Sequence, residues 1–472
     1  MLGRNHESKL LLDALASPQS ELIAVIGRRR VGKTFLIKSV YEKQLRFYQT
    51  GMKDAPREEQ LKNFSEKLAE YAKSNISLKI PETWSEALDQ LKKYLQANKG
   101  KTKQVVFFDE VPWLATHKSG FLEALDYFWN DWASTANVVI VICGSAASWM
   151  LEHIVNNKGG LHNRITRLIR LHPFTLTETK AYLTSRGIQL DNYQLSQLYM
   201  AMGGIPHYLQ AIKPGESAIQ NINRICFEKD GMLRNEFQNL YAALFDHAHN
   251  HIAIVRALSQ KWKGLTRKEI IDATKFTNGG GLTKVLTELE ESSFINTTLP
   301  FGRKKRETLY RLSDEYTLFY FAFIENTTST KDGTWLSLTK SPTYQVWAGY
   351  AFENLCIKHI EKIKLALGIS GIFTNECGFV LKGKNAESGI QIDLLIDRDD
   401  RTINICEMKY YNAEFELSKA YAQNLRMKRE RFKSVTETKK NLFITLITTY
   451  GLIPNEHSLG LLEKVVSLDD MI

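Results

Sequence analysis

The 472-residue chain carries 62 Lys and Arg against 52 Asp and Glu, a formal net charge of +10. Its 43% hydrophobic and 24% charged residues exclude a wholly disordered or fibrous chain, and the length corresponds to about three domains. No apolar run approaches the roughly 18 residues of a membrane helix, and Cys143, Cys226, Cys356, Cys377 and Cys406 are scattered without a CxxC pair. The expectation is a soluble cytoplasmic protein with no signal peptide, membrane segment, disulfide framework or zinc site. The basic balance permits an anionic partner without requiring one.

The first predicted strand is the apolar stretch Glu21–Ile26. It runs into GRRRVGKT, residues 27–34, which fills every fixed position of GxxxxGK(S/T) with Gly27, Gly32, Lys33 and Thr34. An amphipathic helix over FLIKSVYEKQ follows. Strand, loop and helix in that order make the spacing a phosphate site. Backbone N–H groups turn inward around phosphate oxygens at a helix N-terminus, Lys33 reaches the β and γ phosphates, and the Thr34 hydroxyl ligates Mg²⁺. A second strand, QVVFFDE, delivers Asp109 and Glu110 at its carboxyl end. Asp109 is expected to hold Mg²⁺ through water and Glu110 to polarise the attacking water. Without a phosphate loop upstream, such a pair reads as solvated loop residues. A third strand, NVVIVICGS, ends at Ser145, where a polar side chain can sense the γ-phosphate, although serine is common at strand ends.

Residues 174–240 read as short helices rich in Leu, Tyr and Ala, a helical lid. Helices over 251–262, 266–274 and 279–295 come next. The second begins with a Thr266–Glu269 capping box, and the third repeats Leu282, Val285, Leu286 and Leu289 at helical spacing after a glycine break. Residues 296–314 alternate as a hairpin with Gly302 near the tip. Three helices and a hairpin predict a winged helix-turn-helix. Arg303, Lys304, Lys305 and Arg306 in the wing suit nucleic-acid phosphates or simply water. Thr283, Lys284, Thr287, Glu288 and Glu291 are expected on the exposed side of the third helix, a mixed charge that argues against base readout.

Residues 313–324 are aromatic and are expected to dock one domain on another, and 327–333 form a polar linker. A helix over 349–363, a strand region over 371–383, strands over 389–397 and 402–411, a helix over 419–432 and a last strand over 441–448 predict a mixed α/β domain around a central hairpin. Alternation places Ile403, Ile405, Glu407 and Lys409 on one face. The hairpin brings Asp393 beside them, and Glu353 on the preceding helix adds a third carboxylate. Two carboxylates holding a metal and an ammonium positioning water suit Mg²⁺-assisted phosphodiester hydrolysis. A cross-strand Glu407–Lys409 salt bridge on a wet face is the other reading. The basic helix 419–433, with Arg426, Lys428, Arg429, Arg431 and Lys433, either contacts a nucleic-acid backbone or is a solvated face.

The GRRRVGKT loop and the strands ending at Glu110 and Ser145 resemble the AAA+ ATPases, and within them the STAND-like archaeal and bacterial ATPases. The resemblance implies that the Gly3-Arg4…Glu7 opening lies near the adenine. It also makes Arg164 and Arg167, in GGLHNRITRLIRLHPF, candidates for an arginine finger, a basic surface segment being the alternative. It matches GGIPHYL, residues 203–209, to a glycine–proline turn of the lid, where His207 reads as a packing residue. No lid arginine matches a second sensor. In the carboxyl-terminal third, Glu353, Asp393 and Glu407-x-Lys409 follow the helix, strand, strand order of the PD-(D/E)XK nuclease superfamily, although no proline precedes Asp393. Such a domain typically follows STAND-like ATPases, so the resemblance spans essentially the whole chain.

The expected fold is α/β: a P-loop AAA+ ATPase core (1–173), a helical lid (174–243), a winged helix-turn-helix (244–325) and a mixed α/β, restriction-endonuclease-like domain (340–472). The expected function is an ATP-binding and ATP-hydrolysing switch coupled to a nuclease acting on DNA more than RNA. ATP and Mg²⁺ are the expected cofactors, with Mn²⁺ an option at the nuclease site. Self-association and an unidentified protein partner or trigger stay open. Two rival readings are a non-cleaving ATPase whose carboxyl domain is a docking platform for DNA or protein, and a signalling scaffold that oligomerises on ligand binding.

Overall fold

The computed structural model describes residues 3–73, 79–156, 160–161, 163–331, 333–381 and 389–472. Gly159 and His162 of the arginine-bearing segment, Asp332 of the linker, and Lys382 and Gly383 of the predicted strand region lie outside the described residues. The chain forms two compact units, Met1–Pro173 with Leu244–Asp246, and Phe174–Ala243 with His247–Ile472.

The first unit is built on five parallel strands, β1 (Glu21–Ile26), β2 (Leu45–Thr50), β3 (Gln104–Asp109), β4 (Val138–Gly144) and β5 (Arg167–Arg170), in the order β2-β3-β4-β1-β5. Every residue of β1, β3 and β4 is buried, as near-continuous apolar runs require when a parallel sheet is covered on both faces. The edge strands β2 and β5 are half exposed and carry Arg46, Arg167 and Arg170, and neither stands out in the sequence. The helix Trp84–Ala97 shows the local logic. Thr83 caps it by accepting the N–H of Glu86, and Trp84, Leu88, Leu91 and Leu95 form one buried stripe. Trp84 meets Phe121 edge-on at 4.8 Å, and Phe121 meets Phe108 of β3 at 5.5 Å. In register, Ile26 pairs with Gly144 and Ile142 with Phe108. The carboxyl ends of β1, β4 and β3 therefore lie side by side, which is where open α/β sheets bind ligands.

The second unit opens with short helices, among them Leu176–Ser185, Asn192–Met202 and Ala218–Cys226. The module after residue 247 comprises helices Ala248–Ser259, Arg267–Thr274 and Gly280–Glu291 and an antiparallel sheet β6-β8-β7 made of β6 (Leu265–Thr266), β7 (Ile295–Thr298) and β8 (Leu309–Leu312). The Thr266–Glu269 capping box forms. The predicted exposed face of the third helix needs a correction. Glu288 turns toward the first helix, where its Oε2 lies 2.7 Å from Nε2 of the buried His251, while Thr283, Lys284 and Thr287 are exposed. Residues 315–324 are buried or half-buried within this unit. Tyr316, Phe319 and Phe323 are buried, and the latter two pack on Trp335 and Trp347 within this unit.

Beyond it lies a mixed sheet in the order β15-β13-β11-β10-β9. Its strands are β9 (Thr374–Leu381), β10 (Ile390–Arg398), β11 (Thr402–Lys409), β13 (Asn441–Thr448) and β15 (Leu462–Ser467), while β12 (Phe415–Glu416) pairs with β14 (Leu452–Ile453). β9, β10 and β11 run antiparallel, and β11, β13 and β15 parallel. The largely exposed β15 escapes the sequence reading, which ends at β13. Helices Pro342–Lys358 and Lys419–Thr436 accompany the sheet. All five cysteines are buried free thiols.

His359, buried after the first of these helices, accepts the Leu176 N–H on Nε2 at 2.9 Å, and its Nδ1 lies 2.8 Å from the Leu355 carbonyl oxygen. Both bonds are made only by the neutral ring protonated at Nδ1, and burial pushes its pKa down to about 4. A pKa depressed on folding stabilises the protein above the ordinary histidine value of 6.5, and that contribution is lost as pH falls from there toward 4. Between pH 7 and pH 5 the loss comes to about 2 kcal/mol. Thermal unfolding over that range should therefore show His359→Gln losing less stability than the parent. Parallel curves for the two proteins contradict this.

Candidate functional site

Two groups of side chains gather, one in each unit. In the first, the chain leaves β1 through Gly27, where an added Cβ would lie 2.3 Å from the Leu171 carbonyl oxygen. It enters helix Lys33–Val40 through Gly32, whose φ of 92° is left-handed. The loop is thus pressed against the segment after β5 while its glycines free backbone N–H groups. An alanine at each glycine should separate the two demands. Gly27→Ala meets backbone, which no rotamer change relieves, and should destabilise the first unit by about 3 kcal/mol. Gly32→Ala has open space and only unfavourable φ, worth about 1 kcal/mol. Denaturant unfolding reads the difference, and equal losses would count against a tight approach at Leu171.

Lys33 Nζ donates to the carbonyls of Gly27 (2.6 Å) and Arg28 (3.0 Å) and to Ser145 Oγ (3.1 Å). Thr34 Oγ1 donates to Asp109 Oδ2 at 2.5 Å. Glu110, at φ 48°, accepts both the N–H (3.1 Å) and the hydroxyl of Ser145. The five side chains predicted here, Lys33, Thr34, Asp109, Glu110 and Ser145, thus stand together at the carboxyl ends of β1, β3 and β4. The glycine cradle, the ammonium inside it and the hydroxyl–carboxylate pair fit a nucleotide phosphate chain with its Mg²⁺.

Two of the predicted arginines make contacts within the first unit. The guanidinium of Arg4 donates to the carbonyls of Val31 (3.2 Å) and His172 (2.7 Å). It therefore ties the phosphate loop to the segment after β5. Arg167 pairs with Glu21 at 3.2 Å. Glu21 begins β1, at the end opposite the loop. Arg164 sits exposed in the turn before β5.

In the second unit the β10–β11 pairing sets Leu394 opposite Cys406, so Asp393 and Glu407 are the next opposed positions. The β9–β10 pairing shifts register between Ile392 and Leu395, and such a bulge re-aims a side chain. Glu353, Gln391, Asp393, Glu407, Lys409 and Lys428 line one cleft of about 610 Å³. Gln391 donates its amide to Asp393. Glu407 receives the Tyr421 hydroxyl, Lys428 at 2.9 Å and Lys409 at 3.2 Å. Burial alone would raise its pKa, but Lys428, Lys409 and the tyrosine hold it below the usual range. Glu353 lies 3.4 Å from Arg311. Burial, reinforced by Asp393, nonetheless pushes its pKa up to about 7. Burial and the neighbouring Glu407 raise that of Tyr421.

Helix Lys419–Thr436 is not a uniform basic face. Lys428 turns inward to Glu407, Arg429 stands 3.9 Å from Glu463, and Arg426 and Lys433 remain exposed. Sequence reasoning overlooked Tyr421 and the inward role of Lys428, yet their spacing of seven, two helical turns, was the available signal. Among the described residues no three His, Cys, Asp or Glu side chains form a metal-holding group. Asp393 and Glu407 are hard carboxylate donors, with Glu353 lining the same cleft, and such donors fit an Mg²⁺ that keeps most of its water. Among the described residues no helix is long and apolar enough to cross a membrane.

The parallel sheet, the 27–34 loop and Asp109 at the end of β3 define a P-loop nucleotide-binding domain. Residues 2–212 match the model of an ATPase domain family found predominantly in Archaea. An uncharacterized protein of Methanocaldococcus jannaschii is 26% identical over 360 residues, 75% of this chain and 76% of that protein. Among solved structures, the Walker-type ATPase of Pyrococcus abyssi aligns with a TM-score of 0.48 and 16% identity over 68% of this chain and 96% of its own. A STAND protein with a tetratricopeptide repeat sensor from Pyrococcus horikoshii aligns with a TM-score of 0.30 and 12% identity over 79% and 52%.

Proposed function

We propose that the chain is an ATP-hydrolysing switch that controls a metal-dependent phosphodiesterase acting on DNA. The observation that carries the reading is the single cleft lined by Glu353, Asp393, Glu407 and Lys409, in a chain that also holds a complete phosphate loop. In the ATPase domain, Gly27, Gly32 and Lys33 hold phosphates, Thr34 and Asp109 hold Mg²⁺, and Glu110 orients the attacking water. The Lys33–Ser145–Glu110 hydrogen bonds link the groups that meet the γ-phosphate to the one that aims the water. Arg164, exposed in its turn, is the arginine available to a neighbouring copy. The 174–243 helices serve as the lid and the 244–325 module as a winged helix-turn-helix.

In the carboxyl-terminal domain, read as PD-(D/E)XK-like, Asp393 and Glu407 would hold Mg²⁺ or Mn²⁺, which supplies Lewis acidity toward a phosphodiester oxygen. Lys409 positions the attacking water, and Glu353 fixes the far side of the cleft. A second reading, a non-cleaving docking platform, is favoured by the occupation of both Glu407 oxygens by Lys428, Lys409 and Tyr421. Incubating pure protein with supercoiled plasmid, with Mg²⁺ or Mn²⁺ and with or without ATP, decides between them. Nicking that depends on metal is the expected result. Intact plasmid in every lane, with ATP still consumed, selects the platform.

A further inference from the structure

We propose that the module over 247–325 completes the carboxyl-terminal cleft, Lys263 supplying an ammonium for a nucleic-acid phosphate and Arg311 acting as a positioning residue for Glu353. The inference rests on the phosphodiesterase reading and names how its substrate is held.

Arg311 belongs to β8, and its Nη2 lies 3.4 Å from Glu353 Oε2, with both side chains largely withdrawn from solvent. Lys263 occupies the turn between helix Ala248–Ser259 and β6 and lines the same cleft as Asp393, Glu407 and Lys409. The two are held as one body. Gly264, at φ 93°, brings its Cα so close to β8 that an added Cβ would lie 2.7 Å from the Tyr310 carbonyl oxygen.

The module is also seated on the carboxyl-terminal part. Trp262 stacks on Tyr350 at 5.2 Å with planes 9° apart. The Phe301 N–H donates to the Gly378 carbonyl at 2.8 Å, and the Phe301 ring packs 5.3 Å from Phe432. A narrower recess continues behind Asp393 and is lined by Thr298, Leu309 and Arg311 from β7 and β8.

Charge then assigns the roles. Lys409 and Lys428 are spent on Glu407, and Arg311 on Glu353. Among the described residues Lys263 has no carboxylate partner and is exposed, so it is the cation in the cleft left for an incoming anion. A phosphodiester seated there is gripped by two segments of the chain, and the site is incomplete unless the module is docked.

The test measures binding of a short fluorescein-labelled DNA duplex by anisotropy in Ca²⁺, and nicking of plasmid in Mg²⁺. Lys263→Ala should weaken duplex binding about three- to tenfold and reduce its salt dependence by about one phosphate contact. Lys340→Ala, an exposed lysine outside the cleft, should leave both unchanged. Arg311→Met should slow nicking about a hundredfold with duplex affinity kept, and Arg311→Lys should restore most of the rate. Should Arg311→Met fail to fold, the exposed Lys263 carries the test alone. If the parent protein binds and cuts while Lys263→Ala and Arg311→Met equal it, the composite site is wrong and the phosphodiesterase stands. If the parent neither binds nor cuts, both are wrong.

Discussion

Lys33→Ala should lower ATP turnover about a thousandfold while the chain stays folded. Lys33 is almost wholly buried, and its ammonium is already collected by three oxygens, those of Gly27, Arg28 and Ser145. A phosphate chain entering the loop meets a cation that needs little reorganisation to turn from carbonyls to phosphate. Stabilisation of developing γ-phosphate charge by a fixed cation in a dry site is worth roughly 3–4 kcal/mol. The same truncation leaves three oxygens without their donor, so some stability is lost as well. Phosphate release measured alongside a thermal melt separates the two losses. Turnover within tenfold of the parent, in a variant that melts normally, would remove Lys33 from the reaction.

The second large effect falls on the other site. Asp393→Asn should abolish metal-dependent nicking, by about a thousandfold or more, with ATP turnover unchanged. Asparagine keeps the shape and retains a hydrogen-bonding group toward Gln391, but it removes the anionic oxygen on which an Mg²⁺ depends. Glu407→Ala is a poorer probe, because it also strips Lys428 and Lys409 of their counter-charge and so costs stability. Plasmid nicking and phosphate release, assayed side by side on one preparation, check both halves of the expectation. Persistent nicking by Asp393→Asn assigns the cut to some other group or to a contaminant.

What was legible in the sequence was whatever rests on short-range pattern. The runs 21–26, 104–109 and 138–144 read as strands because burial on both faces forces continuous apolar residues. Thr266 and Glu269 announced a helix start because a capping box is completed within four residues. Asp393 and Glu407 could be placed together because strand alternation and a tight hairpin fix both. The long-range pairings were silent. Nothing local ties Arg4 to His172, Arg167 to Glu21 or Arg311 to Glu353, since each pair is joined only by the fold. β2, β5 and β15 are edge strands with one wet side, so their patterns resemble those of loops. Tyr421 and Lys428 were hidden by their own helix, whose charges read as solvated until the sheet beside it showed which side turned inward.

The buried thiols have a practical consequence. Burial pushes Cys377 up to about 12 and likewise raises Cys143, Cys226, Cys356 and Cys406 above the ordinary thiol range. The native chain therefore offers almost no thiolate to an alkylating reagent at neutral pH. A single cysteine introduced at exposed Lys304, in the hairpin loop, would be the one reactive thiol of the folded protein. A fluorophore attached there could report the hairpin's surroundings during nucleotide turnover without first removing any native cysteine.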